Sequence, residues 1–211
     1  MRLIGMLDSP YVRRVAISLE CLGVAFVHEP LSVFSTFHEF QAVNPVVKAP
    51  SLVCDNGDVL MDSSLILQFV EATSAGGASL WSRDPEILQH EMRIVGLALA
   101  ACEKSVQMVY ERHWRPASAQ YTPWIDRITG QLKAAYAELE WTARMQSAPF
   151  CDTSQAGISL AVAWQFTQSL LAPLVPAQDH PCLSDWSARM ENMAPFQKYP
   201  PVGPGVPPDP Q

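Results

Sequence analysis

The chain has 211 residues, 48% of them apolar and 17% charged, the balance of an ordinary globular protein with room for one domain or two. Its net charge of −7 argues against a nucleic-acid partner, because phosphate binding needs clustered Lys and Arg. No stretch reaches the ~18 uninterrupted apolar residues of a membrane span, so no membrane partner is expected.

Arg2 to Met6 is a short apolar run that reads as a buried strand, broken by Asp8-Ser9-Pro10. Pro10 suits the first position of a helix, where no N–H is needed, and Ser9 before it is a natural N-cap. Val12, Val15, Ala16 and Leu19 follow at helical spacing, and Gly23 supplies a stop. Ala25 to Leu31 reads as a second strand. A Phe-rich stretch (Phe34, Phe37, Phe40) then leads to Asn44-Pro45, where a short helix ends. Pro50 to Cys54 and Val59 to Met61 flank the turn Asp55-Asn56-Gly57-Asp58, a β-hairpin signal. Asp62 opens another helix, with Leu65, Ile66, Phe69 and Val70 on one face. Strand, helix, strand, helix-like segment, hairpin and helix make a small α/β domain.

Ala75-Gly76-Gly77-Ala78 is the best linker in the chain. Beyond it the period changes. Ile87, Leu88, Met92, Val95, Leu99, Cys102, Val106 and Val109 step by three and four through one long helix, and Trp124, Ile128, Leu132, Ala135 and Leu139 through a second. Ile158 to Leu171 is apolar on nearly all faces, as in a helix at the centre of a bundle. Leu183, Trp186, Met190 and Met193 mark a fourth, and from Pro200 the chain reads as an extended tail. The expected domains are 1–76, α/β; 84–200, all helical; and 201–211, a Pro-rich tail.

The five cysteines, Cys21, Cys54, Cys102, Cys151 and Cys182, include no CxxC pair and read as reduced, mostly buried thiols. None of the five histidines stands at ligand spacing from another His or a Cys pair, so no metal is expected. Met1-Arg2 runs directly into a strand without the features of a secretory signal, which makes the cytoplasm the expected location.

Three motifs in order, followed by helices, resemble the glutathione S-transferase family over roughly residues 1 to 200. The first is Ser9-Pro10-Tyr11-Val12-Arg13, similar to the bacterial branch whose first helix opens Ser-Pro-Phe/Tyr-Val-Arg. The second, Asn44-Pro45-Val46-Val47-Lys48-Ala49-Pro50-Ser51-Leu52, is similar to Asn-Pro-x-x-Lys-Val-Pro-x-Leu, with Ala49 in place of the usual Val. The third, Met61-Asp62-Ser63, is similar to the family's Glu/Asp-Ser pair. A further departure is Gly157 in Ser154-Gln155-Ala156-Gly157, where the family usually has an acid that completes a reciprocal helix cap.

The resemblance implies a thioredoxin-like N-terminal domain followed by a C-terminal helical bundle. It also implies a dimer, with glutathione as co-substrate and a small hydrophobic electrophile as second substrate. Ser9 takes the catalytic role: a free thiol is mostly un-ionised at neutral pH, and a thiolate at a helix start gains from unsatisfied N–H groups and from the Ser9 hydroxyl. Ser9 as a cap alone is the bland alternative. A hydroxyl cannot form the mixed disulfide that related families make with Cys here, so conjugation is expected rather than disulfide exchange. Asp62 and Ser63 are assigned to the γ-glutamyl end of glutathione, and Asp62 is equally good as a simple cap. A cis Pro50 would turn the Ala49 backbone toward the cysteinyl part, and Lys48 is assigned to the glycyl carboxylate, with a solvated surface lysine as the alternative. Tyr11, Met108, Arg112 and His113 are the candidates for contact with the electrophile. Arg13 reads as structural. The competing reading is a binding or scaffold protein of the same fold without turnover, since fold alone does not fix function.

Overall fold

A computed structural model of the chain describes residues 1–74, 77–145 and 153–204. Part of the expected linker (Ala75, Gly76), Cys151 and the tail beyond 204 lie outside the described residues. The chain forms two compact units: Met1–Leu80 together with the segment that begins at Met193, and Trp81–Asn192.

The first unit runs β1 (Arg2–Ile4), α1 (Pro10–Cys21), β2 (Val27–Glu29), α2 (Phe37–Val43), β3 (Ser51–Val53), β4 (Val59–Met61) and α3 (Ser63–Thr73). The sheet order is β2-β1-β3-β4. β1 and β2 are parallel, joined across α1, while β3 is antiparallel to both β1 and β4. This is a thioredoxin-like sheet. Leu3 pairs in register with Leu52, and both are fully buried among Val12, Val15, Ala16 and Leu19 of α1 and Ile66, Leu67 and Val70 of α3. α1 ends at Leu22, and Gly23 follows at φ 68, the left-handed stop its glycine suggests.

On α3 the buried residues are Ser63, Ile66, Leu67 and Val70, whereas Leu65 is 60% and Phe69 38% exposed. The face expected from sequence is therefore rotated by part of a turn. Nearly every side of this helix is apolar, and period alone cannot choose among them.

Gly5 follows β1 at φ 140, a backbone conformation that costs an L-residue dearly. A Cβ built there would stand 2.5 Å from Val12 Cγ2 and 3.3 Å from Ala49 Cβ. Gly5 thus lets the first turn of α1 and the segment before Pro50 close on the end of β1. Gly5→Ala is expected to lower the urea-unfolding free energy by about 2 kcal/mol, through strained backbone and overpacking together.

The second unit holds α4 (Pro85–Trp114), α5 (Thr122–Met145), α6 (Gln155–Leu171) and α7 (Pro181–Glu191). α6 is buried almost all round, as its composition suggests. Ser154 caps it by accepting the Gly157 N–H at 3.1 Å, so the serine half of the reciprocal cap persists without the acid. The buried face of α4 is Glu91, Ile94, Val95, Ala98, Ala101, Cys102, Ser105, Met108 and Val109, not the most apolar stripe. Ile87 and Met92 are exposed instead. Within the core, Tyr136 donates to the Ala163 carbonyl at 2.9 Å and shares a 2.7 Å bond with Thr167, which reaches Ser105 at 2.8 Å.

The His180 side chain makes no cap bond at the start of α7. The Glu140 carboxylate of α5 supplies it from outside, accepting the N–H groups of Cys182 at 3.1 Å and Leu183 at 3.0 Å. Burial pushes this carboxyl up, but the Leu183 and Cys182 N–H groups outweigh it and hold Glu140 below its ordinary value. A depressed carboxylate contributes stability above its unfolded pKa, and that contribution is lost as pH falls through the folded value. Glu140→Gln is accordingly expected to unfold at lower urea than wild type at neutral pH, with the difference shrinking in acid below the ordinary value of 4.5.

The segment from Met193 was expected to continue the helical domain to residue 200. It forms instead a short helix, α8 (Ala194–Lys198), that belongs with the first unit. Arg13, 1% exposed, donates from Nε to the Tyr199 carbonyl at 2.8 Å and from Nη2 to the Phe196 carbonyl at 3.4 Å. Its guanidinium lies 5.4 Å from the Phe196 ring centroid. Tyr199 stacks on Phe26, and Lys198 pairs with Glu20. These contacts fix the described end of the chain against α1.

Candidate functional site

Ser9 sits where the β1–α1 loop becomes helix. Its φ of −73 and ψ of 122 are extended, and its Oγ accepts the Val12 N–H at 3.5 Å. That bond is at the long limit for a cap. Because the oxygen only accepts in it, the hydroxyl hydrogen stays free to point toward an incoming sulfur. Behind it lie 12 helical residues whose first N–H groups give the helix start its positive end.

The second part of the site is the loop between α2 and β3. Asn44, buried, donates from Nδ2 to Ser51 Oγ at 2.8 Å and accepts the Val46 N–H at 3.0 Å. Ser51 passes its own hydroxyl hydrogen to the Lys48 carbonyl at 2.8 Å. The turn is tight enough to hold Val47 at φ 53, a conformation a β-branched residue rarely adopts. The Ala49–Pro50 bond is cis, as the resemblance implies, and the strand ladder begins one residue later at Ser51.

The third part is the start of α3. Asp62 has φ 73, and its carboxylate accepts the N–H groups of Ser64 and Leu65 at 2.9 and 3.4 Å. The N–H of Ser63 is not one of those it takes. Ser63 is 3% exposed, and its Oγ accepts a hydrogen from Arg14 Nη1 of α1 at 3.1 Å. Lys48 Nζ stands 3.9 Å from Asp62 Oδ2, so the loop lysine and the α3 cap form a loose, exposed ion pair. Three contacts therefore knit the segments together: Ala49 packs on the core cluster that includes Val12, Arg14 joins α1 to α3, and Lys48 joins the loop to α3.

Tyr11 is half-buried on the first turn of α1. The candidates on α4 divide. Met108 is fully buried in the core of the helical unit, the structural alternative for a methionine there; Arg112 and His113 are exposed in the last turn. The His113 ring Nδ1 is 2.9 Å from the Val109 carbonyl of its own helix. Sequence reasoning overlooked Arg14 and the supporting role of Asn44. Arg14 carries no local signal, because its burial depends on partners at 63–64; Asn44 signals its turn through the Asn-Pro pair, but not its bond to Ser51. Among the described residues Cys21, Cys54, Cys102 and Cys182 form no disulfide. Burial, with Asp58 and Asp55 nearby, pushes the Cys54 thiol up and away from reactivity. Among the same residues there is no cluster of three metal-binding side chains, and no helix is long and apolar enough to cross a membrane.

Residues 3–78 match the family model described as glutathione S-transferase, N-terminal domain. The chain is 30% identical over 120 residues to the uncharacterized GST-like protein YibF of Escherichia coli (strain K12), a match that takes in 57% of this chain and 58% of that protein. A glutathione transferase family member from Pseudomonas fluorescens Pf-5, solved with bound S-(propanoic acid)-glutathione, is 28% identical with a TM-score of 0.76. That match covers 96% of this chain and 100% of the other. A glutathione S-transferase from Methylobacterium radiotolerans in complex with glutathione sulfonate superposes with a TM-score of 0.88 at 24% identity, over 98% and 97% of the two chains. The last of these likenesses bears on fold alone.

Proposed function

We propose that this chain is a member of the glutathione S-transferase family that binds glutathione, stabilises its thiolate and joins it to a small hydrophobic electrophile. One observation carries the reading. The stretch matched by the family model, 3–78, contains every candidate glutathione residue, and its three segments are tied together by direct contacts. The Pseudomonas fluorescens family member, 28% identical, was solved with a glutathione derivative bound, which supports the choice of ligand.

In this reading the γ-glutamyl carboxylate takes the Ser63 N–H and hydroxyl, and Asp62 attracts the neighbouring amino group. The backbone beside the cis Ala49–Pro50 bond pairs with the cysteinyl residue in strand fashion, and Lys48 turns from Asp62 toward the glycyl carboxylate. The sulfur then lies at the start of α1, where the Ser9 hydroxyl and the helix N–H groups favour its ionised form. The thiol proton leaves to solvent. The thiolate attacks an electrophilic carbon, a C–S bond forms, and the displaced electron pair departs with a leaving group or is protonated. Tyr11, two residues beyond Ser9, is proposed to touch the second substrate. A reducing compartment such as the cytoplasm and a two-fold dimer accompany the same proposal.

The test is incubation of the pure protein with reduced glutathione and representatives of four classes: an activated aryl halide, an α,β-unsaturated carbonyl, an epoxide and a hydroperoxide. Loss of thiol in step with at least one electrophile, above the uncatalysed rate, supports an enzyme. Glutathione binding with no accelerated reaction in any class supports the scaffold reading.

A further inference from the structure

Arg14 lies on α1, five residues beyond Ser9, and is 3% exposed. Its Nη1 gives hydrogen bonds to two hydroxyls at once, Ser63 Oγ at 3.1 Å and Ser64 Oγ at 3.1 Å. A guanidinium has donors only, so both serine oxygens must accept. A hydroxyl that accepts from a fixed donor has its own hydrogen left for a third group. Ser63 is the first residue of α3, where helix N–H groups are unsatisfied, and Asp62 takes the N–H groups of Ser64 and Leu65 rather than its own. The outcome is one buried residue with a side-chain donor and a backbone donor, backed by a fixed positive charge. Such an arrangement suits a carboxylate and disfavours a neutral or cationic group.

We propose that Arg14 is a positioning residue for the glutathione carboxylate. It orients the Ser63 hydroxyl as a donor and adds its charge behind it, and thereby makes recognition of the ligand depend on the γ-glutamyl α-carboxylate. Because the same side chain bridges α1, which carries Ser9, and α3, it also sets the spacing between the two ends of the ligand. The inference rests on the glutathione reading above. It goes beyond that reading by naming the group that gives the site its preference for a carboxylate.

The experiment compares calorimetric titration of glutathione and of its analogue lacking the γ-glutamyl α-carboxylate into wild type, Arg14→Gln and Arg14→Lys. Near-ultraviolet circular dichroism and thermal unfolding of each variant accompany the titrations. Wild type is expected to prefer glutathione at least tenfold. Arg14→Gln should lose about tenfold in affinity for glutathione, as a charge-assisted contact warrants, and less than about twofold for the analogue. Arg14→Lys, which keeps the charge but on a shorter side chain with a compact, more strongly hydrated head, should fall between the two for glutathione. Equal weakening of both ligands in Arg14→Gln and Arg14→Lys would mean a merely structural role and overturn the proposal. So would unchanged discrimination in either folded variant. Failure of wild type to bind glutathione at all would overturn the functional reading itself, and that outcome is separate because it needs no variant.

Discussion

Ser9→Ala is expected to bind glutathione nearly as well as wild type but to conjugate it about 10- to 30-fold more slowly at neutral pH. The size follows from ionisation. An unperturbed thiol is only a few per cent thiolate near pH 7, so full ionisation can raise the reactive fraction by roughly 30-fold. A thiolate of lowered pKa is also a weaker nucleophile, which returns part of that gain. The alanine keeps the helix start and its N–H groups and removes only the hydroxyl that bonds Val12 at 3.5 Å. Because that cap bond is long, little stability goes with it. The rate deficit should close as pH rises past the ordinary thiol pKa of about 8.5, where glutathione ionises unaided. A deficit unchanged across this range would assign Ser9 a role other than ionisation. Ser9→Cys should behave differently again and form a mixed disulfide with oxidised glutathione, which the hydroxyl cannot.

Arg13→Ala is expected to destabilise the first unit strongly, by about 3 kcal/mol in urea unfolding. It leaves the Tyr199 and Phe196 carbonyls short of their donor, at about 1–3 kcal/mol for each buried group left unmade. It also opens a cavity beside the Phe196 ring. The consequence should be local as well as global: trypsin should cut after Lys198 faster in Arg13→Ala than in wild type. The surface pair of Lys198 with Glu20 is the control. Both partners are partly exposed, and Lys198→Ala should change unfolding little. Comparable loss in the two variants would mean that the buried guanidinium is not what holds α8.

What could be read from sequence in this chain was what is decided locally. Ser9 and Asp62 stand at helix starts because Ser and Asp offer their backbones a cap, and the Asn56-Gly57 turn closes the β3–β4 hairpin within a few residues. The order of strands and helices came from such punctuation and from the change of period after α3. Side-chain burial was less legible wherever the partner was distant in sequence. Arg13 and Arg14 are adjacent charged residues, yet one is buried by residues 196–199 and the other by 63–64. Five-residue α8 is held by these contacts rather than by any pattern of its own. On α4 the buried face includes Glu91 and Ser105, which hydropathy places outside a core; Glu91 accepts the Ser82 N–H at 2.8 Å and Ser105 shares a 2.8 Å bond with Thr167. Ser9 and Asp62 at helix starts, and Asn44 to Pro50 in a tight turn, owe their local geometry to their own residues, which is why these segments were legible.

The proposed function requires that this chain bind glutathione with its thiol ionised by Ser9. The most direct measurement is the ultraviolet thiolate band of bound glutathione followed against pH in wild type and Ser9→Ala, at protein and ligand concentrations fixed by calorimetric titration. In wild type the band should appear at lower pH than for free glutathione, and in Ser9→Ala binding should persist while the band moves back toward the free value. Absence of binding at millimolar glutathione, or a bound thiol that titrates as it does in free solution, would contradict the proposed function.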